Sequence, residues 1–358
     1  MEELIINNSP LITTVIPTYR RPELLKRAVL SVLNQTYPYV KVCIYDNASG
    51  DSTKEVVEEL IKQDPRVHYY CHSNNMGSFN NFYIGMRQVN TPYFSILSDD
   101  DILLPDFYEK ALEGFKKYPD AIFSATQTLV VKGKKVLGVL FIDYEEKLYC
   151  PFEGLLKIAD GGTNSWTGSL YKKEVIETIG LDESLAEGPM EQDFLLRLTA
   201  KYPYVVSRSP GAIFIVHDAS VSASRREIDA MQEYMQMINK IKNNIEIPID
   251  IRETICQKIK KNIVDSLWPG GWIDIKQKNF SRVKKIAKSL KDDFKENLKS
   301  AILSYSAKMC KSSRIFYYCF IGLNQVRRFI HLSRNVEEHR LQAEYGTYLA
   351  YLNKYSKT

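Results

Sequence analysis

Short apolar runs and helically periodic segments alternate along the first hundred residues. The apolar runs are bounded by proline or by polar turn residues, a pattern that predicts buried strands over 11–17, 40–45, 67–71 and 93–97. Between them, apolar residues recur at the spacing of amphipathic helices, the first of which begins at Pro22. This β-α-β-α-β-α-β order predicts an α/β fold with a mostly parallel sheet flanked by helices.

Polar residues directly follow three of the predicted strands. These clusters are 18–20, 46–49 and 98–101. The carboxyl ends of parallel strands meet at one edge of such a sheet, and ligands bind there. We therefore expect the three clusters to form one site.

The third cluster contains three consecutive carboxylates, Asp99, Asp100 and Asp101. Adjacent carboxylates repel each other and are costly to desolvate, so a nearby cation is expected. Such oxygen ligands suit Mg²⁺ or Mn²⁺, which share their remaining coordination with water and phosphate. A solvated acidic turn is the alternative, and the convergence of three polar clusters disfavours it. Because the chain has no glycine-rich phosphate loop, the charge of a bound diphosphate would be met mainly by metal.

Further elements are predicted after this core. A hairpin is expected over 128–141, and a helix is expected after the polar stretch 163–171. Gly188 and Pro189 begin another helix, whose N-terminal end carries Glu191 and Asp193.

The character of the chain changes near residue 225. We expect one domain over 1–225 and a helical, basic region over 226–358. The stretch 268–272, Trp-Pro-Gly-Gly-Trp, predicts a turn between helices. Apolar residues recur every three or four positions over 283–302, which predicts one amphipathic helix.

Positive charge is concentrated in the C-terminal third. The whole chain carries +5, whereas residues 282–334 contain thirteen basic and three acidic residues, a net charge of +10. The apolar run 315–323 is too short to span a bilayer but fits a helix lying on an anionic lipid surface. The alternative is a lobe that packs on the first domain or on the second subunit of a homodimer. No nucleic-acid recognition motif accompanies the charge, so nucleic acid is not expected as a partner.

Cysteine usage and terminal composition bear on location. Six scattered cysteines show no metal-binding or redox spacing, which favours reduced thiols in the cytoplasm. The acidic N-terminal residues do not predict a secretory signal, and no apolar run predicts a membrane span. We expect a cytoplasmic protein, peripheral on the inner face of the cell membrane if the basic segment binds lipid.

Five motifs give the chain a specific resemblance. They are Val15–Tyr19, Ser31–Thr36, Asp46–Asp51, Asn75–Gly77 and Asp99–Pro105. With these motifs in the family's order, residues 11–225 resemble the inverting glycosyltransferases of family 2, of the bacterial cell-surface polysaccharide type, which have the GT-A nucleotide-sugar fold.

The resemblance implies a donor site. In the family, the position of Asp46 hydrogen-bonds the nucleotide base. Arg20 follows a strand end and could bind a phosphate with two hydrogen bonds, although a solvated surface charge is the alternative. For Asn75 and Gly77 the alternative is an ordinary turn. The expected donor-binding residues are Pro17, Thr18, Tyr19, Arg20, Asp46, Asn75, Gly77, Asp99 and Asp100.

The resemblance also implies Mn²⁺ or Mg²⁺, held against the diphosphate by an Asp-x-Asp motif. Because this chain has Ser-Asp-Asp-Asp where many relatives have Asp-x-Asp-Asp, the choice of ligands stays open. We favour Asp101 as a direct ligand and Asp99 as the second. Some relatives place a metal-binding or diphosphate-contacting histidine at the position of His217, and a structural histidine is the alternative.

Acceptor and base positions follow from the same resemblance. The stretch 163–171 corresponds to acceptor support, with Trp166 and Thr167 as candidates; a core tryptophan is the alternative. The family's catalytic aspartate falls on Glu191 and its second aspartate on Asp193. We favour Glu191 as the general base. For both residues, the alternative is an acid stabilised only by the helix N-terminus.

Together these features predict a metal-dependent inverting glycosyltransferase. It would move a sugar from a nucleotide-sugar, first of all a UDP-sugar, to a hydroxyl of a glycan or lipid-linked acceptor in cell-surface polysaccharide synthesis. A non-catalytic sugar-nucleotide-binding protein is the first alternative. A sugar nucleotidyltransferase is the second; it would need a glycine-rich loop with arginine where this chain has Pro17–Arg20.

Overall fold

The core of the molecule is a ten-stranded sheet, with a separate two-stranded pair before it. The computed structural model describes residues 5–6, 9–163, 166–185, 187–217, 227–320 and 332–355. The strands are β1 (Ile5–Ile6), β2 (Ser9–Pro10), β3 (Ile12–Thr18), β4 (Val40–Asp46), β5 (Val67–Cys71), β6 (Tyr93–Ile96), β7 (Ile102–Leu103), β8 (Phe123–Lys132), β9 (Lys135–Leu140), β10 (Leu148–Tyr149), β11 (Ser169–Lys172) and β12 (Tyr204–Ile215).

Strand order in the large sheet is β10-β12-β8-β11-β6-β3-β4-β5, with β7 on β12 and β9 on β8. Neighbours within β6-β3-β4-β5 pair in parallel, as do β8 and β12. Among the described residues, β7, β9, β10 and β11 run antiparallel to their partners in this sheet. The predicted mostly parallel α/β sheet and the β8–β9 hairpin are therefore confirmed.

Helices cover both faces of the sheet. In chain order these helices are α1 (Pro22–Leu33), α2 (Thr53–Gln63), α3 (Gly77–Arg87), α4 (Phe107–Lys117), α5 (Glu153–Ala159), the short α6 (Glu174–Thr178) and α7 (Glu187–Lys201). Apolar side chains of α1, α2 and α4 pack on one face, and those of α3, α5 and α7 pack on the other.

The C-terminal part is helical, as predicted, and packs on the sheet domain. Buried side chains of the first four C-terminal helices belong to the same apolar cluster as α5 and α7. The predicted boundary at 225/226 lies outside the described residues and stays a prediction. The helices are α8 (Met231–Asn243), α9 (Ile249–Lys276), α10 (Phe280–Asp292), α11 (Asn297–Ser312), α12 (Leu332–Tyr345) and α13 (Ala350–Lys354), with a further helical stretch at 314–320.

Strand β11 was not anticipated from the sequence, which indicated only a polar stretch before a helix. Its four residues are inserted between β6 and β8 and pair with both. The segment turns into the sheet at Gly168, whose φ of +85° favours glycine. A strand this short has too little periodicity to detect, and its partners are distant in sequence.

Two predictions in the C-terminal part are wrong. Helix α9 continues through Pro269, where a turn was expected. The single helix predicted over 283–302 is two helices, broken after Asp292, with Lys295 at a φ of +61°. In both cases tertiary packing decides, because apolar residues on either side of the local irregularity are buried.

No helix within the described ranges is both long enough and apolar enough to cross a membrane.

Candidate active site

Three loops meet at the carboxyl edge of β3, β4 and β5. The amide of Asn47 donates to the carbonyl of Thr18 at 3.0 Å. The amide of His72 donates to the carbonyl of Asp46 at 2.9 Å. These bonds join the ends of the three strands, so the first two predicted polar clusters lie side by side, and the Thr18 hydroxyl, which donates to Asp99, links them to the third.

Asp46 is a buried carboxylate with four neighbouring donors. Its Oδ1 accepts from the amide of Ser49 at 3.0 Å and from the Ser49 hydroxyl at 2.6 Å. Its Oδ2 accepts from the Tyr69 hydroxyl at 2.5 Å and from Cys71 Sγ at 3.8 Å. Burial and the contact with Asp46 raise the pKa of Tyr69, so its hydroxyl remains a donor. The carboxylate is therefore fixed in one orientation.

Arg20 forms the wall beside Asp46. Its φ of +56° is unusual for a residue other than glycine. This conformation is held by bonds from its amide to Ser49 Oγ at 2.8 Å and from its Nε to the Ser49 carbonyl at 2.9 Å. The guanidinium lies over the half-exposed ring of Tyr19, 5.1 Å from its centroid. Pro17, near the C-terminal end of β3, is in register with Tyr45 on β4.

The loop after β5 is held to the loop after β4 by two asparagines. Asn75 Oδ1 accepts from Asn47 Nδ2 at 3.0 Å and from the amide of Gly77 at 2.9 Å. Gly77 begins α3 at a φ of +85°, with open space where a Cβ would stand. Asn75 and Gly77 thus shape the loop that lies beside Asn47.

Asp99 and Asp100 share a guanidinium that the sequence analysis did not assign. Arg21 Nη1 donates to Asp99 Oδ1 at 3.1 Å and to Asp100 Oδ2 at 3.0 Å. The hydroxyl of Thr18 donates to Asp99 Oδ2 at 2.8 Å. His217 Nε2 is hydrogen-bonded to Asp100 Oδ2 at 2.9 Å. Burial raises the pKa of Asp99 to about 6, an effect that Arg21 partly offsets.

Asp101 differs from its two neighbours because it is completely buried. Its Oδ1 accepts from the amide of Ile215 at 2.8 Å, and its Oδ2 accepts from the Thr167 hydroxyl at 2.6 Å. Burial, reinforced by Asp100, raises the pKa of Asp101 well above its usual range. The side chain therefore ties β12 to the loop before β11.

Asp193 is also buried, and it faces an arginine on its own helix. Arg197 Nε donates to Asp193 Oδ2 at 2.7 Å. The other two nitrogens of Arg197 donate to the carbonyls of Ile179 and Gly180. Burial raises the pKa of Asp193 although Arg197 opposes the shift. Glu191, in contrast, is partly exposed and interacts electrostatically with the buried Tyr171.

Trp166 and Thr167 lie in the interior. Trp166 is 6% exposed, and its ring packs against Phe82 and Phe194 with centroids 4.7 and 5.0 Å away. Thr167 is buried and bonds Asp101. This geometry favours the alternative of a core tryptophan over an acceptor contact.

The acid cluster fits a divalent cation that is shared with a ligand. No group of three or more His, Cys, Asp or Glu side chains in the described part of the chain is arranged to hold a metal by itself. However, Mg²⁺ is commonly bound by one or two carboxylates together with water and phosphate oxygens. Asp99 and Asp100 are adjacent carboxylates at this edge of the sheet, and His217 contacts one of them. Their carboxylate oxygens are the ligand type that such a cation prefers.

Comparison with known proteins gives the sequence family of this region. Residues 13–180 match the family described as Glycosyl transferase family 2. Over 111 residues the chain is 33% identical to a GalNAc(5)-diNAcBac-PP-undecaprenol beta-1,3-glucosyltransferase of Campylobacter jejuni, covering 30% of this chain and 36% of that protein. Over 118 residues it is 34% identical to an Escherichia coli chondroitin synthase, covering 33% of this chain and 17% of that protein. The matched segments thus span well under half of these relatives.

Solved structures share the fold at low identity. Staphylococcus aureus TarS 1-349 in complex with UDP-GlcNAc superposes with a TM-score of 0.62 at 14% identity, covering 84% of this chain and 87% of that one. The mannosyltransferase PcManGT from Pyrobaculum calidifontis, in complex with GDP-Man and Mn²⁺, superposes with a TM-score of 0.51 at 15% identity, covering 87% and 83%.

Proposed function

Since residues 13–180 form a family 2 glycosyltransferase domain within a GT-A fold, we propose that this chain is a metal-dependent inverting glycosyltransferase. It moves a sugar from a nucleotide-sugar to a hydroxyl of a glycan or lipid-linked acceptor in cell-surface polysaccharide synthesis. One observation carries the proposal: the fixed carboxylate of Asp46 and the acid pair Asp99–Asp100 lie at the same edge of the sheet, joined through Thr18.

This edge of the sheet supports a nucleotide-sugar donor. Ser49 and Tyr69 hold the Asp46 carboxylate, the proposed base-binding group, in one orientation, and Tyr19 adds an exposed aromatic ring next to Arg20. Arg20 supplies a positive charge on the same wall. Solved relatives of this fold carry UDP-GlcNAc or GDP-Man, and we propose a UDP-sugar as the first donor to test.

The geometry changes the proposed metal ligands. Both oxygens of the completely buried Asp101 accept hydrogen bonds inside the protein, which disfavours Asp101 as a direct ligand. Asp99 and Asp100 would hold Mn²⁺ or Mg²⁺, with His217 orienting Asp100 or joining the ligands. The bound cation would neutralise the charge that develops on the departing diphosphate.

Glu191 is the proposed general base. It is partly exposed on the first turns of α7, whereas Asp193 is buried and paired with Arg197. A base must reach the acceptor hydroxyl and take its proton as that oxygen attacks the anomeric carbon. Asp193 instead holds Arg197, which anchors the turn at Ile179 and Gly180.

The acceptor is proposed to reach the enzyme at a membrane surface. Relatives are named for an undecaprenol-linked substrate and for chondroitin synthesis, which supports a lipid-linked or glycan acceptor. On α11, Leu298, Ile302 and Tyr305 are exposed along one face. The flanking lysines complement anionic lipid, so we propose peripheral binding at the cytoplasmic leaflet. A homodimer through the same face is the alternative.

Turnover tests the proposed function. Purified protein, a panel of UDP- and GDP-sugars, Mn²⁺ and a lipid-linked saccharide should release nucleoside diphosphate, and EDTA should abolish the release. We expect Glu191→Gln to lower the transfer rate by about 10²–10⁴-fold with donor affinity unchanged.

Asp193→Asn is the matched control, since it removes one charge two residues away. It should lower the melting temperature, because Arg197 loses its charged partner. The transfer rate of the folded enzyme should fall much less than in Glu191→Gln. If no donor supports release although UDP-sugars bind, the protein is a sugar-nucleotide-binding protein without transferase activity.

A further inference from the structure

Arg21 occupies the position between the two acids that a divalent cation would need. Its Nη1 lies 3.1 Å from Asp99 Oδ1 and 3.0 Å from Asp100 Oδ2. Its side chain is 24% exposed, whereas those of the two aspartates are 8% and 12% exposed. The guanidinium is therefore the more accessible partner in this cluster.

A metal ion and this guanidinium compete for the same oxygens. Oxygen ligands lie about 2.0–2.1 Å from Mg²⁺, so a cation bound to both carboxylates would contact the atoms that now accept from Arg21. Two positive groups at that distance repel each other strongly in a partly buried site. Arg27, whose Nη2 donates to the carbonyl of Asp100 at 2.6 Å, adds positive charge behind the pair.

We propose that Arg21 is an internal cation that closes the Asp99–Asp100 pair in the donor-free protein and leaves it when the metal enters with a diphosphate. This inference rests on the proposed metal role of the two aspartates. Arg21 directly precedes α1 with non-helical backbone angles, φ −139° and ψ 54°. From there, its planar guanidinium can exchange two carboxylates for phosphate oxygens, which accept bidentate bonds equally well.

The consequence is a coupling between metal and nucleotide. In the donor-free protein, metal must displace Arg21 without compensation, so affinity for the metal alone is low. A diphosphate offers Arg21 new acceptors and offers the metal new ligands. By linkage, each ligand then raises the affinity for the other by the same factor.

Mn²⁺ titrations followed by the EPR signal of free Mn²⁺ test this, with and without UDP, on the full chain. We expect Arg21→Gln to bind Mn²⁺ alone about tenfold more tightly than wild type, because a competing cation is removed. UDP should increase Mn²⁺ affinity less in this variant than in wild type. Arg21→Lys, which keeps the charge, should retain the weak binding of Mn²⁺ alone.

Two further variants separate the possible failures. Arg66→Gln breaks a comparable ion pair with Asp64, 2.7 Å long, before the start of β5, and should leave Mn²⁺ affinity unchanged. Asp100→Asn should weaken Mn²⁺ binding with and without UDP. If Asp100→Asn weakens binding but Arg21→Gln matches wild type, the metal site stands and the role of Arg21 is refuted. If Asp100→Asn has no effect, the proposed metal site itself fails.

Discussion

The three consecutive aspartates have three different environments, because each has its own set of hydrogen-bond partners. Asp99 faces Thr18 and Arg21, Asp100 faces Arg21 and His217, and Asp101 is enclosed by main-chain and hydroxyl donors. Neighbouring side chains in an irregular loop point in different directions, so identical residue types acquire different burial. Asp101, which the sequence analysis favours as a metal ligand, accepts hydrogen bonds from Thr167 and Ile215 inside the protein.

The pH dependence of stability tests the burial of Asp99. Its pKa is raised to about 6 in the folded protein, so folding takes up a proton between about pH 4 and pH 6. The stabilising effect of that proton is complete below pH 4 and is lost as the pH rises through 6. Asn cannot ionise, so Asp99→Asn should escape this loss.

The melting temperature of metal-free Asp99→Asn, relative to wild type, should therefore increase from pH 4 to pH 7. Each unit of difference in pKa corresponds to about 1.4 kcal/mol in the free energy of unfolding. If the difference in melting temperature stays constant over this range, burial does not raise the pKa of Asp99 as described.

At the scale of elements, helix α9 shows why local signals failed. A proline inside a helix removes one hydrogen bond and costs about 3 kcal/mol. Leu267 and Ile275, on either side of Pro269, are buried. Each fully buried side chain of this type contributes roughly 1.5–3 kcal/mol, so packing of the continuous helix outweighs the local cost.

The adjacent glycines of α9 provide a matched pair of variants. A Cβ at Gly271 would stand 2.5 Å from Cδ2 of the buried Leu303 on α11, whereas a Cβ at Gly270 would meet no atom within 4 Å. We expect Gly271→Ala to lower the free energy of unfolding by about 1–3 kcal/mol through overpacking. Gly270→Ala should leave stability unchanged or raise it by up to ~1 kcal/mol through helix propensity.

Thermal and denaturant unfolding of both variants would measure the difference. Equal effects of the two substitutions would show that α9 and α11 do not pack as closely at this position as the structure has them.

At the scale of the whole molecule, the C-terminal helices combine a buried face with an exposed one. On α11, Leu303 is completely buried against α9. Leu298, Ile302 and Tyr305, also on α11, are 73%, 41% and 64% exposed. The buried face attaches these helices to the sheet domain. The exposed face, beside the basic residues, remains available for the proposed lipid surface.

Liposome binding distinguishes a lipid-binding role of this exposed face from a role as a homodimer interface. Ile302→Glu should reduce binding to vesicles containing anionic phosphatidylglycerol by about tenfold or more, because it loses apolar burial and adds repulsion. Ile245→Glu is the control, since Ile245 is 90% exposed in the loop between α8 and α9. Unchanged vesicle binding, together with a dimer in sedimentation experiments that Ile302→Glu dissociates, would favour the homodimer instead.

The sequence by itself determined the features that repeat or lie close along the chain. Alternating strands and helices, the β8–β9 hairpin and the polar clusters after β3, β4 and β6 all follow from periodicity and from the fixed direction of parallel strands. The carboxylates of the candidate site were predicted for the same reason, since they follow strand ends.

Tertiary structure alone decided the features that depend on partners distant in sequence. The pairing of β11, the continuity of α9 through Pro269, and the contact of Arg21 with Asp99 and Asp100 bring together segments that no local pattern connects. Their energies come from burial and from charge pairing across the fold, which outweigh local propensity. For this reason the acids of the site could be found from the sequence, while the cation now between them could not.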